Sequence, residues 1–304
     1  MQDRGAAVAR TGMVAIIGRP NVGKSTLLNA LVGERVSITS SKPQTTRERV
    51  LGVLTRGEAP ATTQFIFVDT PGLQRGNRSL LAQRMNQSAR AALAEVDVVV
   101  LVIDAHGWRA EDDAVLELLP PGRPNVILAL NKTDALDRYQ DVLPVLRDCA
   151  GRYPFAALVP VSAERRRQLE ELLAEIEKLL PAGEPLFDGD QFTDRNVRFL
   201  AAEFIREKAF RLLGDELPYG IAVTIERWNE TDEHLEIVAG LLVERESHKA
   251  IVIGAQGAKL REIGRLARAD IAALLGKPVH LETWVRVRRG WTDDARALKS
   301  LGYD

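Results

Sequence analysis

The run Gly18-Arg19-Pro20-Asn21-Val22-Gly23-Lys24-Ser25 has the spacing G-x-x-x-x-G-K-[ST] and directly follows an apolar strand-like stretch, Met13 to Ile17. Successive backbone N–H groups in such a loop, leading into a helix N-terminus, surround a polyphosphate with donors and a favourable dipole. Lys24 adds a point charge for the β- and γ-phosphates, Ser25 adds a hydroxyl for Mg²⁺, and Thr26 continues the loop into the helix. Further chemistry sits at other strand ends. In Asp69-Thr70-Pro71-Gly72 the carboxylate can hold Mg²⁺ through water, and the Gly72 amide can sense a γ-phosphate. In Asn131-Lys132-Thr133-Asp134, Asp134 can accept hydrogen bonds from the guanine N1–H and N2 amino group, neither of which adenine offers in that arrangement. A buried carboxylate left without those donors is costly, so the pattern favours guanine over adenine. Lys132 would lie along the base, Asn131 would tie neighbouring loops together, and Ser162-Ala163 would supply backbone N–H groups for the guanine oxygen.

These residues require a scaffold that brings strand ends together. Strands are expected at Val14 to Ile17, Gln64 to Asp69, Val96 to Asp104, Asn125 to Asn131 and Ala156 to Val161. Helices are expected at Ser25 to Val32, Ser79 to Leu93, Asp112 to Leu119, Gln140 to Arg152 and Leu169 to Leu180. The unbroken apolar run Val98 to Ile103 implies burial on both faces, as in a parallel sheet covered by helices, so the first part reads as a doubly wound α/β domain. Pro181-Ala182-Gly183-Glu184-Pro185 ends the last helix and opens a linker. The expected organisation is a nucleotide-binding domain over 1–180, a linker over 181–190 and a smaller α+β domain over 191–304.

The second domain has a different order. Asp194 to Leu213 reads as a helix, Ile221 to Trp228 and Leu235 to Glu244 as strands, then a short helix to Ile253, a helix from Ala258 to Leu275 and a strand from Val279 to Val287. Gly254-Ala255-Gln256-Gly257 joins the two central helices. Two glycines let that turn approach a backbone closely, the following helix N-terminus favours phosphate, and Lys259 and Arg261 add charge. This is how a KH module holds about four single-stranded nucleotides.

Overall charge is uninformative, with 41 basic and 42 acidic residues giving a net of −1. Its distribution is more telling: Pro181 to Gly240 holds 6 Lys/Arg against 13 Asp/Glu, whereas Leu241 to Arg289 holds 10 against 5. A basic face for phosphates beside an acidic surface fits that swing. Apolar residues at 45% and charged residues at 27% describe a globular chain, and no apolar run reaches membrane-spanning length. Met1-Gln2-Asp3-Arg4-Gly5 lacks the apolar core of a secretory signal, so a cytoplasmic location is expected. Cys149 has no partner for a disulfide and no metal-ligand spacing, and is read as a passive core or helix-face thiol.

The phosphate loop, the two strand-end tetrapeptides and Ser162-Ala163, in this order, resemble the Ras-related P-loop GTPases of the translation-factor class. The loop through Thr26, Gln44-Thr45-Thr46-Arg47, Asp69-Thr70-Pro71-Gly72-Leu73, Val252 to Lys259, Pro278 to Val285 and Gly290-Trp291 more specifically resemble the Era family of bacterial GTPases, over about Gly12 to Tyr303. The resemblance implies a P-loop GTPase domain with a type II KH domain, GTP/GDP and Mg²⁺ as ligands, and binding near the 3′ end of small-subunit ribosomal RNA. It further implies a role in maturation of the small (30S) subunit, with pre-30S particles as partners. Peripheral association with the inner membrane is implied as well, although the sequence offers no anchor. No stable oligomer is expected.

Under the same resemblance Ser40 to Arg47 is switch I, with Thr46 the hydroxyl that completes Mg²⁺ coordination and Thr45 the alternative. Switch II runs from Asp69 to about Asn77, with Gly72 and Gly76 permitting rearrangement. Lys24, Thr46 and Gly72 are the catalytic candidates. Leu73 stands where Ras-like relatives place the glutamine that orients water, which implies slow intrinsic turnover. Asn21 resembles the asparagine that helps hold K⁺ in some relatives; the alternative is a loop-stabilising amide. A competing reading is a GTP-binding RNA scaffold in which hydrolysis is incidental. Trp284 and Val285 are read as core rather than as a base-stacking platform. His248 stands as an RNA contact or an exposed cap, and Arg286, Arg288 and Arg289 either meet phosphates or solvate a strand end. His106, His234 and His280 are given no ligand role.

Overall fold

The computed structural model describes residues 8–39, 45–70, 79–120, 122–213 and 220–303. Two compact units are formed. The first comprises Met1–Ser37, Arg49–Leu73 and Asn86–Asp194; the second comprises Ile38–Glu48, Gln74–Met85 and Arg195–Asp304.

The first unit is built on β1 (Arg10–Ile17), β2 (Val50–Arg56), β3 (Thr63–Asp69), β4 (Val98–Asp104), β5 (Val126–Asn131) and β6 (Ala157–Pro160), in the order β2-β3-β1-β4-β5-β6. β1 pairs in parallel with both β3 and β4, and β4-β5-β6 continue in parallel. Strand order reverses at β1, so the carboxyl ends of β1, β3, β4 and β5 open onto one crevice, the place where doubly wound sheets bind ligands. β3 and β4 are buried at every position, as strands covered on both faces must be. Each fully buried Val or Leu contributes roughly 1.5–3 kcal/mol. The connecting helices are α1 (Lys24–Val32), α3 (Ala110–Leu116), α4 (Val142–Ala150) and α5 (Leu169–Leu179), and α2 (Leu80–Glu95) contributes its residues from Asn86 onward.

β2 was not among the expected strands. It pairs antiparallel with β3 and makes the sheet mixed. Residues 181–194 run along this side of the first unit. Gln64, fully buried, accepts from the backbone N–H groups of Leu186 and Phe187 (2.8 and 3.0 Å) and donates to the Phe187 carbonyl (2.9 Å). The Val53 N–H donates to the Phe192 carbonyl (2.9 Å). Cys149 is buried in the core, and burial pushes its thiol up to about 11, so it stays protonated and inert.

The second unit follows the expected α-β-β-α-α-β order: α6 (Val197–Leu212), β7 (Ala222–Glu230), β8 (Leu235–Val243), α7 (Glu246–Ile253), α8 (Ala258–Leu275) and β9 (Val279–Val287). Asn196 caps α6 by accepting from the Phe199 N–H (2.9 Å). The sheet is β7-β8-β9, antiparallel then parallel, with β9 at the edge. Its inner face packs Ile237, Ala239, Leu241 and Val285 against Phe204, Ile263, Ala267 and Ile271 from the helices. A further short helix, α9 (Ala295–Ser300), joins Trp291 and Tyr303 in a second cluster with Ala222 and Leu242. Among the described residues no helix is long and apolar enough to cross a membrane.

The second unit also holds the described flanks of the segment expected to be switch I. The Thr39 N–H donates to Glu207 (2.9 Å), Arg206 donates to the Thr45 carbonyl (2.7 Å), and Arg47 donates to the Ile221 carbonyl (2.6 Å) beside the rings of Phe210, Trp291 and Tyr303. Burial lowers the Arg47 pKa from its ordinary value.

Candidate nucleotide site and RNA cleft

The phosphate loop leaves β1 and enters α1 through Gly23, which has φ +96°. A Cβ at Gly23 would lie 2.4 Å from Asn131 Nδ2, so both conformation and space demand glycine. Asn131, at the end of β5, donates to the Val22 carbonyl (2.8 Å) and accepts from the Ala163 N–H (3.0 Å). One amide thus joins the loops after β1, β5 and β6. Lys132 donates to the Asn21 carbonyl (2.7 Å) and pairs with Asp104 at 2.9 Å. Burial opposes the Asp104 charge, but the bonds from the His106 N–H and ring and from Lys132 together outweigh it and hold the carboxyl at about 2.

Lys24 Nζ donates to the Gly18 and Arg19 carbonyls, each at 3.0 Å. Burial is the largest influence on it, and with Arg19 it outweighs the attraction of Asp69 and brings the pKa down to about 8. Arg19 lies 3.2 Å from fully buried Asp112, whose carboxyl is raised by burial. Ser25 Oγ donates to Asp69 Oδ2 (3.0 Å), and Ser37 Oγ donates to the same oxygen (2.6 Å). Asn29 in α1 holds Ser37 in place, accepting from its N–H (3.0 Å) and donating to its carbonyl (2.7 Å). Hydroxyl and carboxylate oxygens are the donors a hard cation such as Mg²⁺ takes, so this set fits the metal. Thr70 of the first unit is buried, as are Thr45 and Thr46, which belong to the second unit. Pro20 and Thr26 lie in the loop and the first turn of α1. Pro71, Gly72, Leu73, Gly76 and Asn77, and Ser40 to Gln44 of switch I, lie outside the described residues.

Two features differ from the sequence expectation. Asp134, in a 3₁₀ turn over Thr133–Ala135 beyond the strand end, is exposed rather than buried, and it accepts from the Ser162 hydroxyl. The Ser162 N–H donates to the Arg167 carbonyl (3.2 Å) and the Ala163 N–H to Asn131, so a base oxygen would have to share or displace these bonds.

In the second unit the turn Gly254 to Gly257 separates α7 from α8. Gly257 and α8 residues Leu260, Arg261, Gly264, Arg265 and Arg268 form one wall of an open cleft of about 850 Å³; Leu281, Glu282 and Thr283 of β9 form the other. Arg261 and Arg268 are exposed and make no ion pair among the described residues, whereas Arg265 pairs with Glu262 at 2.7 Å. Gly254, Ala255, Gln256 and Lys259 sit in the turn and first turn of α8 outside the cleft lining.

The description "50S ribosome-binding GTPase" belongs to a family that matches residues 13–132, and a KH domain family matches residues 216–292. GTPase Era of Bordetella avium is 52% identical over 295 residues, covering 97% of this chain and 98% of the relative. The chain belongs to the Era family of GTPases. GTPase Era of Xanthomonas oryzae is 50% identical over the same share of this chain. Among solved structures, a single-residue variant of Aquifex aeolicus Era bound to GDP·AlF4⁻ has a TM-score of 0.92 at 42% identity, covering 97% of this chain and 99% of the other. Era in complex with MgGDPNP and nucleotides 1506–1542 of 16S ribosomal RNA has a TM-score of 0.91 at 42% identity, with the same coverage.

Several residues that the structure brings to these two candidate sites carry no motif in the sequence. Ser37, Asp104 and Asp112 enter the nucleotide site singly from separate loops, with no local pattern to mark them. Arg265 and Arg268 do carry a signal: with Arg261 they recur at i, i+4 and i+7, one face of a helix. Trp284 corrects an expectation. Val285 is buried but Trp284 is 37% exposed, because adjacent strand residues point to opposite faces and the helices cover only one.

Proposed function

We propose that the chain is a GTP-hydrolysing switch that binds the 3′ region of small-subunit ribosomal RNA and acts in maturation of the 30S subunit, with pre-30S particles as partners. The observation that carries this is a guanine-type nucleotide site and a cationic KH cleft in one chain, in a family whose solved relatives hold MgGDPNP, GDP·AlF4⁻ and 16S RNA. The loop Gly18 to Thr26 cradles the phosphates, Lys24 supplies their counter-charge, and Asp134 and Lys132 recognise the base, with Asn131, Thr133, Ser162 and Ala163 shaping its pocket. Ser25, Asp69 and Thr46 would hold Mg²⁺, which neutralises charge on the β- and γ-phosphates when bound. Gly72 senses the γ-phosphate, and Leu73, having no polar group to orient water, leaves intrinsic turnover slow. Asn21 would take K⁺, and identical turnover in K⁺ and Na⁺ removes that role.

The domain reading is 1–180 for nucleotide and 191–304 for RNA, joined by 181–190. The protein works in the cytoplasm as a monomer, with peripheral attachment to the inner membrane. The test is binding of an RNA carrying the small-subunit 3′ terminus against a scrambled RNA of equal length. Selective binding that weakens as salt rises is expected; equal affinity for both RNAs overturns the assignment.

A further inference from the structure

We propose that the outward face of β9 is a second RNA contact, where a base of the strand leaving the cleft stacks on Trp284 and its phosphate meets Arg286. The contact rests on reading the cleft as an RNA groove and extends that groove around the edge of the sheet.

Among the described residues β9 has no strand beyond it, and Leu281 to Thr283 already line the cleft, so a chain passing over this edge next meets residue 284. Register aligns Thr224, Gly240 and Trp284 across the three strands on the outward face, and Gly240, the cross-strand neighbour of Trp284, has no side chain to cover the indole. The ring is held rather than loose: its Nε1–H donates to Glu226 Oε2 (3.0 Å), and the Arg286 guanidinium lies 5.6 Å from its centroid. A Cβ at Gly240 would fall 2.7 Å from Glu226 Oε1, so the glycine makes room for the side chain that fixes the indole.

A fixed aromatic face beside a cation is what an unpaired nucleotide uses, base on ring and phosphate on guanidinium. Arg286 and Arg289 are exposed and make no ion pair among the described residues. Along the strand, Glu282 lies on one side of Trp284 and Arg286 on the other, which directs the phosphate toward the Arg286 end. Sequence alone placed Trp284 in the core, and the nucleotide site and the cleft make no use of it.

The test uses the full chain and two single-stranded RNAs of the small-subunit 3′ sequence, one of about five nucleotides to fill the cleft and one of about twelve to pass beyond it. Trp284→Ala should weaken the longer RNA by about tenfold and leave the shorter unchanged, with Trp284→Phe restoring most of the loss. Arg286→Ala should lower the salt dependence of the longer RNA alone, and it carries the test if Trp284→Ala does not fold. Unchanged affinity of the longer RNA in both variants overturns the contact and assigns this face to a protein partner or to none; equal loss for both RNAs overturns it as a local effect on the fold. If the unmodified chain binds neither RNA, the cleft reading itself has failed and the contact falls with it.

Discussion

Gly18 to Ser25 and Gly254 to Gly257 use one backbone device for two degrees of selectivity. Each carries a glycine of positive φ that caps a helix, Gly23 before α1 and Gly257 before α8. Their walls differ. Around Gly23 the space is filled by Asn131, and Lys24, Lys132 and Asn21 are tied by hydrogen bonds of 2.7–3.0 Å. Beside Gly257 the nearest group to an added Cβ is the flexible end of Arg261, at 3.2 Å, and the turn opens onto a wide cleft. A crowded wall selects one nucleotide by shape and hydrogen bonding. An open cationic wall accepts many backbones and leaves sequence to be read by fewer contacts.

The largest effect that sharpens this contrast is at the base. Asp134→Ala should cost about a thousandfold of the preference for GTP over ATP, measured by competition binding. Alanine at the two capping glycines comes next: Gly23→Ala should weaken GDP binding by at least about a hundredfold, whereas Gly257→Ala, with room to adjust, should weaken RNA only by about fivefold. Equal losses at the two positions would break the contrast.

A smaller effect follows from Lys24. Its pKa of about 8 must rise when phosphate charge arrives, so binding above that pH takes up a proton. GDP affinity should be flat below pH 7 and fall by up to tenfold per pH unit above pH 8, and Lys24→Arg should remove the slope. The smallest effects belong to the cleft: Arg268→Ala should lower the salt slope of RNA binding by about one, and Arg265→Ala by less, since Glu262 already pairs it.

Much of the candidate nucleotide site was legible because a loop that offers backbone N–H groups to a phosphate forces fixed residue types into short contiguous runs. Asp104 and Asp112 were not, since each acts alone from the end of a different element. The order α6 to β9 was readable from periodicity, and the ranges of α8 and β9 agree to the residue. β2, as long as β3, escaped because Gly52 interrupts its apolar run, which has neither strict alternation nor an unbroken β-branched stretch. The membership of Ile38–Glu48 in the second unit was also invisible, because burial of Arg47 among Phe210, Trp291 and Tyr303 is decided by residues far along the chain.

A nucleotide-operated RNA switch requires that the bound nucleotide change the affinity for RNA. The direct measurement is titration of the small-subunit 3′ RNA into protein loaded with GDP or with a non-hydrolysable GTP analogue, at one fixed salt concentration. Tighter binding in the analogue-loaded form, by about tenfold, is expected. The same affinity in both forms contradicts a switch and leaves a GTP-binding RNA scaffold.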